Sequence, residues 1–288
     1  MIIKKLTLNS AGFPEVLRHI PSPPKQLFTT GAPLDNLLKR PAVAIVGTRK
    51  ISPYGQAVTW DFARELAGQG LVIISGLALG LDALAHKAAL EQGGLAIAVL
   101  PCPLQKIVPA TNQRLAQRIL DNGGALVSEY PEDEWPKRQY FIARNRIVSG
   151  LSDAVLIPEG GEKSGAMHTA RFALEQGKNI LAVPGSINAP GSVGTNSLIK
   201  NSKAGAVTSP LDVLNALGLR PRSTKPKQVT GNNANEQAIL DLMLRGITDG
   251  HRLLEESRLS VSHFNQALTM LEIAVKIRPL GANHWSIA

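Results

Sequence analysis

From Ala42 onward, short apolar runs alternate with longer amphipathic stretches. AVAIV (42–46), LVIIS (71–75), LAIAV (95–99), ALVS (125–128), AVLI (154–157) and ILAV (180–183) are apolar at successive positions rather than at every second one. A strand reads this way when both of its faces are buried, as in a parallel sheet covered by helices. The intervening stretches, residues 55–69, 82–92, 111–122, 143–151 and 165–176, carry apolar positions at helical spacing. Gly70, Gly93, Gly123 and Gly177 fall just past four of these stretches, where a left-handed C-cap favours glycine. The repetition predicts an α/β fold over residues 41–217, a Rossmann-like, doubly wound and mostly parallel sheet.

The two ends of the chain break this pattern. Residues 1–40 contain Pro14, Pro21, Pro23, Pro24 and Pro33 and read as an irregular N-terminal extension. Residues 218–233 have no hydrophobic periodicity and read as a basic linker. Over residues 234–288, helical patterns near Asn235–Leu244, His251–Glu256 and Ser262–Leu271 precede two β-like runs around Gly281-Ala282-Asn283. Three helices followed by a hairpin is the winged-helix layout, whose core often reads duplex DNA.

Composition narrows the class. Of 288 residues, 44% are hydrophobic and 18% charged, enough for a packed core. No long apolar run and no signal-peptide core at the N-terminus predict a soluble, cytoplasmic protein without a membrane partner. The single cysteine, Cys102, excludes a disulfide framework and a cysteine-rich zinc site, and between two prolines it reads as a small buried hydrophobe. No metal or cofactor is expected. The net charge of +9 is unevenly placed. Residues 1–217 carry 22 Lys+Arg against 16 Asp+Glu, residues 218–233 four cations and no acid, and residues 234–288 five cations against six acids. Polyanion binding therefore belongs to the large domain and the linker, because phosphate contacts dominate affinity for nucleic acid. The slightly acidic C-terminal domain suits protein contact or self-assembly better than duplex DNA.

In an open α/β sheet, ligands bind beyond the carboxyl ends of the strands. Those positions hold Gly47-Thr48-Arg49-Lys50, Ser75-Gly76, the turn from Pro158 to Gly165, and Gly185 with Asn196 close behind it. Small residues at helix starts let backbone N–H groups approach an anion. After the fourth strand comes KRQYFIARNRIVSG (137–150), with Lys137, Arg138, Arg144 and Arg146 around Tyr140 and Phe141 and no carboxylate among them. Cations hold phosphates and aromatic faces stack bases, a pairing suited to single-stranded nucleic acid. A solvated helix start with two core aromatics is the plainer alternative. Arg49, Arg144 and Arg146 on one rim would form a track for successive phosphates. The chain has no G-x-x-x-x-G-K-[ST], no G-x-G-x-x-G after the first strand, no G-x-S-x-G and no H-E-x-x-H. Asp82 and His86, spaced i,i+4, could serve acid–base chemistry, or could cap and pack a helix.

Seven ordered segments resemble the DNA-processing protein A (DprA/Smf) family: VGTRKISPYG (46–55), SGLALGLDALAH (75–86), AVLPCPLQKIVPATNQRL (98–115), LVSEYP (126–131), FIARNRIVSGLSDAVLI (141–157), SGAMHTARFALEQGK (164–178) and AVPGSINAPGSVGTNSLI (182–199). The resemblance implies a non-enzymatic, usually dimeric protein that binds single-stranded DNA, protects incoming DNA and loads the RecA recombinase during natural transformation. It places a phosphate-binding turn at Gly47, Thr48 and Arg49. It places a basic and base-contacting segment at Arg138, Phe141, Arg144, Asn145 and Arg146, with support from Ser164, Gly165, Thr169 and Asn196. The chain departs from the family pattern at Ile142, where a proline is usual, and at Met167-His168. A second reading is a nucleotide-processing enzyme of the nucleoside monophosphate phosphoribohydrolase type, which binds its substrate in a similar crevice. Here Pro158-Glu159-Gly160-Gly161 stands where such enzymes carry a glycine-rich turn.

Overall fold

The computed structural model describes residues 2–222, 229–281 and 283–287. They form two compact units, Met1–Arg222 and Ser223–Ala288.

The strands of the first unit are β1 (Lys4–Thr7), β2 (Gln26–Gly31), β3 (Ala42–Ile45), β4 (Val72–Ser75), β5 (Ala96–Leu100), β6 (Ala125–Ser128), β7 (Ala154–Ile157), β8 (Asn179–Ala182) and β9 (Gly205–Ala206). They lie in one sheet in the order β1-β2-β6-β5-β4-β3-β7-β8-β9. Pairing is parallel from β6 through β9, and antiparallel for β1 with β2 and β2 with β6. The sequence of strands runs outward from β3 to β6 and then returns to place β7 on the other side of β3. That reversal is the topological switch point of a doubly wound fold.

The helices are α1 (Glu15–Arg18), α2 (Leu34–Leu37), α3 (Pro53–Gly68), α4 (Leu81–Glu91), α5 (Gln113–Asp121), α6 (Arg138–Ala143), α7 (Asn145–Gly150), α8 (Gly165–Glu175), α9 (Val193–Lys200) and α10 (Pro210–Ala216). They cover both faces, which explains why β3 to β7 are buried at every position. On one face Ala44, Ile74, Val99 and Val155 pack with Leu17, Ile147, Val148, Ala170 and Ala173. On the other, Val43, Ile45, Ile73 and Leu156 meet Phe62, Leu66, Ala85, Val213 and Leu214, and the core continues through Leu100, Leu115 and Ile119. Each fully buried aliphatic side chain contributes about 1.5–3 kcal/mol relative to exposure. Gly70, Gly93, Gly123 and Gly177 all adopt positive φ at their helix ends.

Two expectations are corrected. The first forty residues are not an irregular wrap. They add β1 and β2 to the sheet, and α1 buries Leu17 against Gly150, where a Cβ would come within 2.7 Å of Leu17 Cδ2. The helix expected over 143–151 begins earlier, as α6, and continues as α7 after a one-residue interruption at Arg144.

In the second unit, α11 (Ala234–Leu244), α12 (Gly250–Ser257) and α13 (Val261–Ile273) precede the antiparallel pair β10 (Ile277–Gly281) and β11 (His284–Ile287). Asn233, Asp249 and Ser260 cap the three helices by accepting the backbone N–H of Glu236, Arg252 and His263. Ile239, Leu240, Leu253, Phe264, Leu268, Leu271 and Ile277 form the core of this unit. Phe264 lies in the first turn of α13 and belongs to this core. Residues 223–228 of the basic linker and Ala282 of the hairpin turn lie outside the described residues.

Candidate nucleic-acid interface

The loop after β3 carries the clearest local logic. Gly47 is required by close packing: a Cβ there would sit 2.3 Å from Leu81 Cδ1 and 2.6 Å from the Glu159 carbonyl oxygen. Thr48 holds the turn. Its N–H donates to the Glu159 carbonyl at 3.0 Å, its carbonyl accepts the Leu81 N–H at 3.1 Å, and its hydroxyl accepts the Lys50 N–H at 3.1 Å. With the backbone satisfied in this way, the side chains of Arg49 and Lys50 remain exposed. Gly80, at φ 86°, lets the loop after β4 pack against the same turn, where an added Cβ would fall 2.6 Å from Arg49 Cα.

Opposite this turn, α6 presents Phe141, half-buried, with the Arg49 guanidinium carbon 5.5 Å from the ring centre. This is a cation–π contact worth about 0.5–1 kcal/mol at an exposed site. Arg138, at the start of α6, is exposed. Asn145 donates to the Gly165 carbonyl at 3.4 Å, so it meets the start of α8. There Ser164 caps the helix by accepting the Ala166 N–H at 3.3 Å, and Gly165 is exposed with open space where a Cβ would stand. Arg49, Lys50, Arg138, Phe141, Asn145, Ser164 and Gly165 thus present polar or aromatic surface at the strand ends.

The remaining candidates do not. Arg144, expected on the phosphate track, is only 3% exposed, and its guanidinium donates to the carbonyls of Gly76 and Val99 at the ends of β4 and β5. Burial is the main influence lowering its pKa, and Asp82 opposes it. Arg144 is a strut that satisfies strand-end carbonyls. Arg146 is 13% exposed in its side chain and bridges to Glu129 at 2.6 Å, so its charge is already partnered. The three guanidinium groups therefore do not form one open track. Ser75, Gly76 and Thr169 are buried. The Ser75 hydroxyl donates to the Ile45 carbonyl at 2.6 Å, and the Gly76 N–H donates to Asp82 at 3.2 Å. Asn196 clamps Gly185, accepting its N–H at 3.1 Å and donating to its carbonyl at 3.0 Å.

Beneath the rim lies a polar cluster whose composition was visible in the sequence but whose role was not. Burial raises the pKa of Asp82, against the nearby Arg144 charge and the backbone groups around it. Burial, and then the Arg144 charge, lower His86 to about 3, so its ring is neutral. Neither residue makes a capping hydrogen bond to α4; the Asp82 carboxylate accepts the Gly76 N–H, and His86 is fully buried. Burial also raises the Cys102 thiol, which is inaccessible.

At the switch point between β3 and β7 stands Glu159, which the sequence placed in a strand-end turn without giving it a role. It is 4% exposed and accepts the Ser52 N–H at 3.1 Å, at the N-terminus of α3. A Cβ on Gly55 would lie 2.0 Å from one of its carboxylate oxygens, and one on Gly191 2.3 Å from the other. The helix N-terminus that would receive a nucleotide phosphate is filled by the protein's own carboxylate. An acid inside a glycine-rich turn was the available signal. Among the described residues no group of three or more His, Cys, Asp or Glu side chains gathers as a metal site would require. No helix among them is long and apolar enough to cross a membrane.

Comparison with known proteins agrees with this architecture. Residues 4–218 match the family model described as DNA recombination-mediator protein A. Protein Smf of Escherichia coli K12 is 49% identical over 175 residues, covering 61% of this chain but 46% of that protein. The crystal structure of DprA from Streptococcus pneumoniae superposes with a TM-score of 0.69 at 38% identity, over 74% of each chain. DprA from Helicobacter pylori, whose structure was described for a unique single-stranded DNA binding mode, gives a TM-score of 0.66 at 39% identity, over 74% of this chain and 95% of that one. The strand order, the strand-end loops and the extent of the match lead to one assignment: the chain belongs to the DNA recombination-mediator protein A family, the DprA/Smf proteins.

Proposed function

We propose that this chain is a cytoplasmic, non-enzymatic recombination mediator that binds single-stranded DNA at the strand-end rim of its first unit. The observation that carries the reading is the Arg49–Phe141 pair. An exposed guanidinium lies against a half-exposed ring, with Lys50 and Arg138 exposed nearby. Free bases stack on such rings and phosphates meet the cations. The H. pylori relative described for single-stranded DNA binding supports the same ligand. By the same kinship the chain would protect incoming DNA and hand it to RecA during natural transformation, acting as a homodimer.

The enzymatic alternative fits less well. Glu159 occupies the anion position of the crevice, and Asp82 and His86 are sealed beneath the loops. Incubation with nucleoside monophosphates should release no free base.

Titration of a labelled oligothymidylate at two or more salt concentrations tests the reading. Arg49→Ala should weaken binding and reduce the salt slope by about 0.7, as for one lost phosphate contact on a single strand. Arg49→Glu should weaken it further, across all sequences. Wild-type affinity in the Arg49→Glu variant would place the interface elsewhere.

A further inference from the structure

The loop between β6 and α6 exposes an indole that the rim as described does not use. Trp135 is 71% exposed, although a tryptophan gains more than most residues from burial. The loop beneath it is firmly held. Lys106 Nζ lies 4.4 Å from the indole ring centre and donates to the Glu132 carbonyl at 2.9 Å. Glu134 accepts from Lys137 Nζ at 2.6 Å and from the Tyr140 hydroxyl at 2.6 Å. The Tyr140 ring stacks on Tyr130, with centroids 3.9 Å apart and planes 17° from parallel. The next residue is Phe141, beneath Arg49. Between residues 135 and 141 three aromatic positions therefore each have a cation beside them: Lys106 at Trp135, Lys137 at Tyr140 and Arg49 at Phe141.

We propose that Trp135, braced by Lys106, is a second base-stacking platform for the DNA strand held at Arg49 and Phe141. The inference rests on the single-stranded DNA reading of the rim and extends it by a site. Tyr140 is stacked on one side and hydrogen-bonded, which leaves Trp135 as the open ring. The exposed carboxylates of Glu132 and Asp133 disfavour a phosphate at this end. The contact is therefore through the base, and it contributes affinity without counterion release. This separates it from Arg49, whose contribution must depend on salt.

The test uses the full chain. Trp60→Phe with Trp285→Phe leaves Trp135 as the sole tryptophan. Its emission should be quenched saturably by oligothymidylate, with the same midpoint as the anisotropy of the labelled strand. Trp135→Ala should lower affinity about 5- to 100-fold with an unchanged salt slope and thermal midpoint, and Trp135→Phe should restore most of it. An indole emission that stays constant while DNA binds would overturn the platform, as would wild-type affinity in Trp135→Ala. So would an indole that responds only to a protein partner. Loss of binding in Arg49→Glu beside a silent Trp135 would remove the platform alone. A wild-type chain that binds no oligonucleotide would remove both readings.

Discussion

Arg49 and Arg144 are the same residue type and sit at strand ends of one sheet, yet they occupy opposite environments. Arg49 lies on an exposed turn against a half-exposed ring. Arg144 is buried over the ends of β4 and β5, beside Asp82 and His86. The difference shows that a cation at a strand end has two possible clients, a ligand's phosphates or the sheet's own unpartnered carbonyls. Which it serves depends on whether the neighbouring loops close over it. The buried half of the rim should therefore report on stability and the exposed half on binding.

The largest effect separating the halves is expected from pH. His86 has a folded-state pKa of about 3 against 6.5 for the free ring. Its contribution is present in full above pH 6.5 and is lost as pH falls from there toward 3, by up to about 5 kcal/mol if the whole shift is realised. Asp82, raised by burial, works in the opposite direction, since its contribution is present at low pH and lost as pH rises through its folded pKa. Urea unfolding of wild type and His86→Leu across pH 3–7 should show a shallower acid loss in the variant. Equal slopes would mean that the ring is not buried neutral.

Next in size is Arg144→Ala. It strands two strand-end carbonyls and the Asp82 carboxylate, a loss of roughly 3–5 kcal/mol. Arg49→Ala should change the unfolding free energy by no more than about 1 kcal/mol, the worth of its contact with Phe141. If the Arg144 variant kept wild-type stability and lost only DNA binding, the contrast between the two arginines would fail.

Phe141→Ala comes third, with about 1–3 kcal/mol of affinity for oligothymidylate lost if a base stacks there. The smallest effect is Arg146→Gln, which breaks a largely covered ion pair with Glu129. It should leave the salt slope of DNA binding unchanged, because that charge already has a partner.

Much of the fold was legible because it follows from short-range rules. Runs such as AVAI and AVLI, apolar at every position, must be buried on both faces, and glycines at positive φ end the helices. The N-terminal strands were not legible. β1 reads KKLT with three of its four residues exposed, as an edge strand does, and prolines crowd the segment between it and β2. In the candidate site, chemistry alone singled out Arg49, Phe141, Arg144 and Arg146 alike; the fold leaves the first pair at the exposed rim, buries Arg144 and pairs Arg146 with Glu129. Trp135 was passed over because it stands among acids and prolines.

Local pattern by itself determined strands β3 to β8, the glycine-marked helix ends and the family motifs, since these depend on residue type and spacing. Only the tertiary structure decided which charges face water. A guanidinium is stable either hydrated or bonded to buried carbonyls, and the choice between those states belongs to the packing of β4, β5 and α4 around Arg144, and of Glu159 beneath α3, rather than to any residue's own neighbours in sequence.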